Sequence, residues 1–187
     1  MLNNAFKQAS REGWLQPVAD LLVDEGKYLR ELIDFGNVIL INKNNHHQAV
    51  TADDRQRFEE LSVRFAKLQV RHANLNLKVM VSVMGGGLYP KLAQLSNDTL
   101  DFFEVNLEYW TLQMSKWLVG DSPVQDAITA ELVSVARLGN WTIDIANAYW
   151  AAVKDMSWKP LIGLGNFDRD ITAQLARMSA LYSKARI

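Results

Sequence analysis

The chain has 187 residues, of which 49% are hydrophobic and 22% charged, with a formal net charge of −1 and no cysteine. These values are ordinary for a soluble globular protein, and the length suffices for one domain, residues 1–187, with a sizeable core. The small net charge argues against a dedicated nucleic-acid binder, which is normally far more basic. The lack of cysteine excludes thiol catalysis, disulfides and cysteine-ligated metals.

Residues 1–13 lack the apolar segment of a secretory signal. The apolar run from Val79 to Met84 is interrupted by Ser82. It is far shorter than the roughly 20 apolar residues that span a bilayer. We therefore predict a cytoplasmic protein with no transmembrane segment, whose contact with membranes is at most peripheral.

The first long helix is predicted to begin near Pro17, because the fixed φ of proline suits a first helical position. Its apolar face comprises Leu21, Tyr28, Leu32, Phe35 and Ile39. Acidic residues occupy the remaining surface, namely Asp20, Asp24, Glu31 and Asp34. We expect residues 38–41 to form the last turn of this helix and residues 42–50 to form a polar loop.

Residues 51–87 are predicted to form one long central helix. Thr51 is a suitable N-cap, and Asp53 and Asp54 in the first turn favour the positive end of the helix dipole. The glycines at 85–87 end it. One face follows the alternating three–four spacing of a heptad seam: Phe58, Leu61, Phe65, Leu68, His72, Leu75 and Val79.

Two further series recur every seven residues on the same helix. The apolar stripe consists of Val63, Val70, Leu77 and Met84. The basic ridge consists of Arg57, Arg64, Arg71 and Lys78. The apolar stripe indicates a second buried face, either inside the bundle or against another chain. We expect acid-rich neighbouring helices to neutralise the basic ridge, and the alternative is an anionic or acidic partner.

The glycines are followed by a turn with at most one short helix, and Ser96 or Asp98 is then expected to cap the next long helix. The seam of that helix comprises Leu100, Phe103, Leu107, Trp110, Met114 and Trp117. A second stripe opposite it comprises Val105, Leu112 and Val119. Acidic residues outside the seam are the expected partners of the basic ridge, namely Asp101, Glu104 and Glu108.

A break at 120–123 places Ser122 as N-cap and Pro123 at the first position of a helix that runs to about Met156. Residues 158–166 are expected to form a packed loop before a last helix. Strand signals are almost absent and the breaks are short. The sequence therefore predicts an all-α antiparallel up-and-down bundle of about five long helices.

Signals of catalysis are weak. His46 and His47 are adjacent, which makes them a poor chelating pair, and His72 is expected to be a core histidine with one hydrogen bond. Asp144 lies on a largely apolar helix and is the one candidate for a buried carboxylate, but it has no visible partner. Serine-nucleophile, phosphate-loop and Glu-x-x-His motifs are missing. We predict a non-enzyme with no catalytic residue, cofactor or metal site.

Three functions are compatible with these patterns. The favoured one is a non-catalytic structural or interaction protein that assembles with itself or a larger complex through the outer stripes. The first alternative is a peripheral binder of lipid or hydrophobic surfaces, which would use the tip at 77–89 and the tryptophan-rich ends of the helices. The second alternative is a small-molecule pocket whose lining comprises Trp110, Trp141, Trp150 and His72.

Overall fold

The computed structural model describes residues 2–40, 49–84, 90–119, 126–157, 159–162, 164 and 167–186. The helices are α1 (Leu2–Arg11), α2 (Leu15–Leu40), α3 (Ala52–Met84), α4 (Pro90–Val119), α5 (Asp126–Asp155), α6 (Lys159–Ile162) and α7 (Phe167–Ala185). No strand occurs within these ranges. The predicted all-α bundle is confirmed, and five of its helices are long.

Helices α2 and α4 lie at the centre of the packing. Helix α3 packs against both of them, α5 packs mainly against α2, and α7 packs against α4. Side-chain pairs give the directions: Asp24 contacts Arg71 and Glu31 contacts Arg64, so α2 and α3 are antiparallel. In the same way, Gln69 contacts Glu108 and Asn76 contacts Asp101, so α3 and α4 are antiparallel.

Helix α3 begins as its sequence predicts. The backbone N–H of Asp54 donates to Thr51 Oγ1 at 3.1 Å, and the backbone N–H of Thr51 donates to the Asp54 carboxylate at 2.9 Å. This reciprocal cap satisfies two amides at the helix start. The predicted seam faces the core, since Leu61, Leu68, His72, Leu75 and Val79 are buried and Phe58 and Phe65 are partly buried. The terminating glycines lie outside the described residues.

Several boundaries differ from the prediction. An additional helix, α1, precedes α2, which begins two residues before Pro17. Helix α4 begins at Pro90, so Ser96 and Asp98 are not caps. Instead, Ser96 Oγ donates to the Leu92 carbonyl at 2.7 Å, which is how serine is tolerated inside a helix. A short helix, α6, lies within the predicted loop 158–166.

The end of α5 matches the prediction to one residue. The helix ends at Asp155, and Met156 adopts a φ of 48°, the left-handed conformation that terminates helices. The predicted break at 120–123 and most of the loop at 42–50 lie outside the described residues.

Gly36 brings α2 unusually close to α4. A Cβ atom at Gly36 would overlap the end of the Met114 side chain, its Cε atom and, at 2.7 Å, its Sδ atom. It would also lie 3.3 Å from Trp117 Cζ3, and both side chains are fully buried. A Cβ atom at Gly26 would lie 3.6 Å from the Ala146 Cβ atom, which is an ordinary contact. Gly26 faces α5, so it serves as the control in a test of how tightly α2 packs on α4 at Gly36.

We expect Gly36→Ala to lower the free energy of unfolding by about 1–3 kcal/mol, because the added methyl overpacks the α2–α4 contact. Gly26→Ala should be neutral or stabilise by up to about 1 kcal/mol through its higher helix propensity. Urea denaturation followed by circular dichroism measures both values. Equal stabilities of the two variants would contradict the close approach at Gly36.

Candidate functional site

A buried polar cluster joins α2, α3 and α4. Glu25 on α2 and His72 on α3 are each only 1% exposed. His72 Nδ1 lies 3.1 Å from Glu25 Oε1, and His72 Nε2 lies 3.4 Å from Glu104 Oε2 on α4. Two carboxylates from different helices therefore approach the two ring nitrogens of one imidazole. The prediction that His72 is a core histidine with one hydrogen bond is confirmed.

Asp101 extends this cluster by one helical turn. It lies three residues before Glu104, so both carboxylates occupy the same face of α4. Asn76 Nδ2 on α3 donates to Asp101 Oδ1 at 2.8 Å, and Asn97 Nδ2 donates to its other oxygen at 3.3 Å. These amides hold the Asp101 carboxylate in place beside His72.

Three members of the cluster, Glu25, His72 and Asp101, have a raised pKa. Burial raises the pKa of Glu25, although the hydrogen bond and charge of His72 oppose the rise. For His72, burial alone lowers the pKa, but the hydrogen bond to Glu25 and the nearby carboxylates together raise it above its ordinary value. Burial also raises the pKa of Asp101. For the two carboxylates, Glu25 and Asp101, the largest cause is the removal of negative charge from water.

Two buried atoms of the cluster make no hydrogen bond with any described residue, namely Glu25 Oε2 and His72 Nε2. His72, Asp101 and Glu104 each offer one ligand atom, and these atoms lie within 4.8 Å of one another. Imidazole and carboxylate groups at this spacing are able to hold a cation or share a proton.

The apolar stripe of α3 is exposed. The exposed fractions are 56% for Val63, 63% for Val70, 65% for Leu77 and 80% for Met84. Ala66, Ala73 and Met80 are also exposed and fall between them at three–four spacing. Helix α3 therefore carries two heptad seams, one buried against α2 and α4 and one facing outwards.

The second predicted stripe, on α4, is not exposed in the way that the stripe on α3 is. Val105 is half-buried and packs on the hydrophobic core, and Leu112 is also half-buried. The side chain of Val119 lies outside the described part of the chain. Because α4 contacts α2, α3 and α7, little of its circumference remains free for an outer interface.

The basic ridge contacts α2. Arg71 pairs with Asp24 at 2.8 Å, Arg64 pairs with Glu31, and the Arg57 guanidinium lies 5.7 Å from the centre of the Phe35 ring. Neutralisation within the bundle was the favoured prediction for this ridge. These exposed ion pairs stabilise the fold by at most about 1 kcal/mol each.

The predicted α4 partners of the ridge are wrong. Glu104 faces His72, whereas Asp101 accepts from Asn76 and Glu108 accepts from Gln69. The register of the antiparallel α3–α4 pair places these acids opposite polar residues at the edge of the α3 seam, such as Gln69 and Asn76, and not opposite the arginines. Lys78 is exposed.

The remaining candidates do not form a site. Asp144, the candidate for a buried carboxylate, is exposed. Trp110 packs edge-to-face on Trp117, and Trp141 packs in the same way on Phe102, so both rings fill the core. Lys154 lies over the Trp150 ring. His46 and His47 lie outside the described residues.

Two surface clefts lie between helices, and their lining residues differ from those of the predicted aromatic pocket. One of about 260 Å³ lies between α2 and α3 and contains the ion pairs of Arg64 and Arg71. The other, of about 160 Å³, lies between α2 and α5 beside Gly26 and Ala146. Neither cleft is lined by the tryptophans of the predicted pocket.

The sequence patterns did not identify Glu25, Asp101 and Glu104 as partners of His72. Glu25 lies at helical spacing between Leu22 and Leu29 on the apolar face of α2. The sequence did contain a signal for a buried polar contact: a carboxylate within the apolar face of one helix and a histidine within the apolar seam of another.

No protein-family model matches the chain, and neither do any curated proteins or solved structures. Among the described helices, none combines the length and apolar character needed to cross a membrane.

We expect the folded state to lose stability as the pH rises above about 6.5. The pKa of His72 is higher in the folded state than its ordinary value of 6.5. Its protonation therefore stabilises the fold fully below that value and progressively less as the pH passes the raised pKa. The facing groups are Glu25 on α2 and Asp101 and Glu104 on α4.

The test is the melting temperature from about pH 6 to pH 9 in buffer with EDTA, for wild type and His72→Gln. Glutamine retains a hydrogen-bond donor towards Glu25 but does not titrate. The decline with pH should be steeper in wild type, and identical slopes would show that His72 does not bind its proton more tightly in the folded state.

Proposed function

We propose that the protein is a non-catalytic interaction protein whose copies associate through the outer face of α3. The observation that supports this proposal is the exposed second seam from Val63 to Met84. Of the eight large hydrophobic residues that are exposed in the described part of the chain, six lie on α3: Val63, Val70, Leu77, Met80, Val81 and Met84. Exposed apolar residues that are concentrated in this way are typical of protein interfaces.

The form of the seam favours a second helix as its occupant. Apolar residues at 63, 66, 70, 73, 77, 80 and 84 alternate at the three–four spacing of a coiled coil. The 21 steps from Val63 to Met84 correspond to about 32 Å of helix. A partner helix would therefore cover a continuous strip rather than an isolated spot.

The same seam on a second copy of this chain is complementary in shape to this one. Large residues at 63, 70 and 77 alternate with alanines at 66 and 73, which provides both knobs and holes on one helix. An antiparallel two-fold pair would place the large residues of one copy beside the alanines of the other. The seam positions themselves carry no charge between Val63 and Met84, so self-pairing buries no charged side chain in the centre of the contact.

The alternatives have weaker support. A lipid surface would contact only the end of α3, where Leu77, Val81 and Met84 are exposed, and would leave Val63 and Val70 unexplained. The aromatic pocket has no support from the two clefts, which have other linings. A cytoplasmic location stays a prediction from the sequence.

We expect wild-type protein to form a defined oligomer and the double variant Val70→Glu/Leu77→Glu to be monomeric. Buried glutamates would be desolvated without partners, so we expect each single change to raise the dissociation constant at least tenfold, about 1.4 kcal/mol. Analytical ultracentrifugation and native mass spectrometry, across a range of protein concentrations, measure this constant.

Val38→Glu is the matched control, since Val38 is an exposed valine on α2, 48% accessible and outside the α3 seam. It should associate like wild type. At protein concentrations below the dissociation constant, all variants should unfold within about 0.5 kcal/mol of wild type because the positions are exposed in the single chain. A wild-type monomer at high protein concentration would overturn the proposal. Binding of that monomer to anionic vesicles, lost in Leu77→Glu but kept in Val63→Glu, would favour the lipid alternative.

A further inference from the structure

The cluster around His72 has features that a plain buried ion pair does not require. His72 Nε2 is buried, makes no hydrogen bond with a described residue and lies 3.4 Å from the Glu104 carboxylate. Asp101 contributes a second carboxylate to the same side of the ring. Negative charge is thus concentrated around an imidazole nitrogen that is a good metal ligand in its neutral form.

We propose that His72, Asp101 and Glu104 bind a divalent transition-metal ion, with Glu25 as the residue that orients His72. The ion would bind His72 through Nε2 and the two carboxylates through one oxygen each. It would connect the middle of α3 to one face of α4, and through Glu25 to α2. This inference is independent of the association proposed for the outer seam.

The distances fit such a site. Two ligands about 2.1 Å from one ion, at a tetrahedral angle, lie about 3.4 Å apart. The measured separation of His72 Nε2 and Glu104 Oε2 is 3.4 Å. The full set of ligand atoms spans at most 4.8 Å, so the ligands that are further apart would have to move closer together when an ion binds.

The surroundings of the ligands also fit. Metal-bound histidine usually directs its other ring nitrogen to a carboxylate, which fixes the ring orientation. Glu25 has this position, 3.1 Å from His72 Nδ1 and almost completely buried. The Asn76 amide holds Asp101 by a hydrogen bond of 2.8 Å in the same manner. Glu104 is 35% exposed in its side chain, which leaves a path from solvent.

The donor set indicates the class of metal. One imidazole with two carboxylates suits Zn²⁺, Mn²⁺ or Fe²⁺, whereas Mg²⁺ and Ca²⁺ prefer oxygen ligands alone. Three protein ligands leave at least one coordination position for water. Zn²⁺ is therefore the first probe, and Mg²⁺ is the comparison that should bind far more weakly.

The experiment is isothermal titration calorimetry of the full chain, freed of metal by a chelator, with Zn²⁺. Wild type should bind one ion per chain. We expect Asp101→Asn and Glu104→Gln each to weaken binding at least tenfold, and Glu25→Gln to weaken it by about 10- to 100-fold. Glu108→Gln is the matched control, because it makes the same change one turn further along α4, and it should bind like wild type.

A second measurement uses wild type alone and does not depend on whether a variant folds. Zn²⁺ at a hundredfold excess over its dissociation constant should raise the melting temperature by about 5–10 °C, and EDTA should reverse the rise. The double variant His46→Ala/His47→Ala should retain both effects, since these histidines are outside the proposed ligand set.

Three results would overturn the proposal. The first is a wild-type chain that binds neither Zn²⁺ nor Mn²⁺ at one ion per chain. The second is unchanged affinity in folded Asp101→Asn and Glu104→Gln. The third is loss of Zn²⁺ binding in His46→Ala/His47→Ala, which would place the ion at the sequence-adjacent pair instead. The oligomeric state of the wild type is measured in the same samples and tests the other proposal separately.

Discussion

The contact between Glu25 and His72 constrains the packing of the three helices around it. Both side chains are almost completely buried, and a buried carboxylate without a partner would destabilise the fold by several kcal/mol. Glu25 therefore requires a hydrogen-bond donor at one particular position along the axis of α3, and His72 provides it. A slide of α3 by one turn would separate the two groups and bury both without partners.

This contact defines the register but supplies little of the stability. Each buried leucine of the α3 seam, such as Leu61, Leu68 or Leu75, stabilises the fold by roughly 1.5–3 kcal/mol through removal from water. A buried polar pair is often no more stabilising than an apolar pair of the same volume. The same apolar seam, however, would accept several registers. The polar contact distinguishes among them, as a buried polar residue does in a coiled coil.

The sequence was sufficient for features that depend on neighbouring residues. The Thr51 cap, the α3 seam and the end of α5 follow from local spacing and side-chain chemistry, and the structure contains all of them. The start of α4 was misplaced because serine and aspartate are both good caps and tolerated helix residues. Only the contact of Ser96 with its own helix and with Tyr149 distinguishes these roles.

The polar cluster could not be derived in this way, because it depends on the relative heights of separate helices. Glu25, His72 and Glu104 lie on three helices. Periodicity predicts on which side of its helix a residue lies, but not how far one helix is shifted along its axis relative to the next. The same limitation explains why the acids of α4 were assigned to the basic ridge. They lie on the correct side of α4 to meet α3, but at the edge of its seam rather than at its arginines.

Helix α3 also shows how one polar group can decide which of two apolar faces is buried. Its two seams have the same heptad spacing, so periodicity alone leaves the choice open. The inner seam has larger side chains, including Phe58 and Phe65, and it contains His72. If α3 turned over, Glu25 would face the apolar outer seam with no donor, and both phenylalanines would be exposed. The carboxylates of α2 and α4 thus hold the outer seam towards solvent, where it is free to meet a partner.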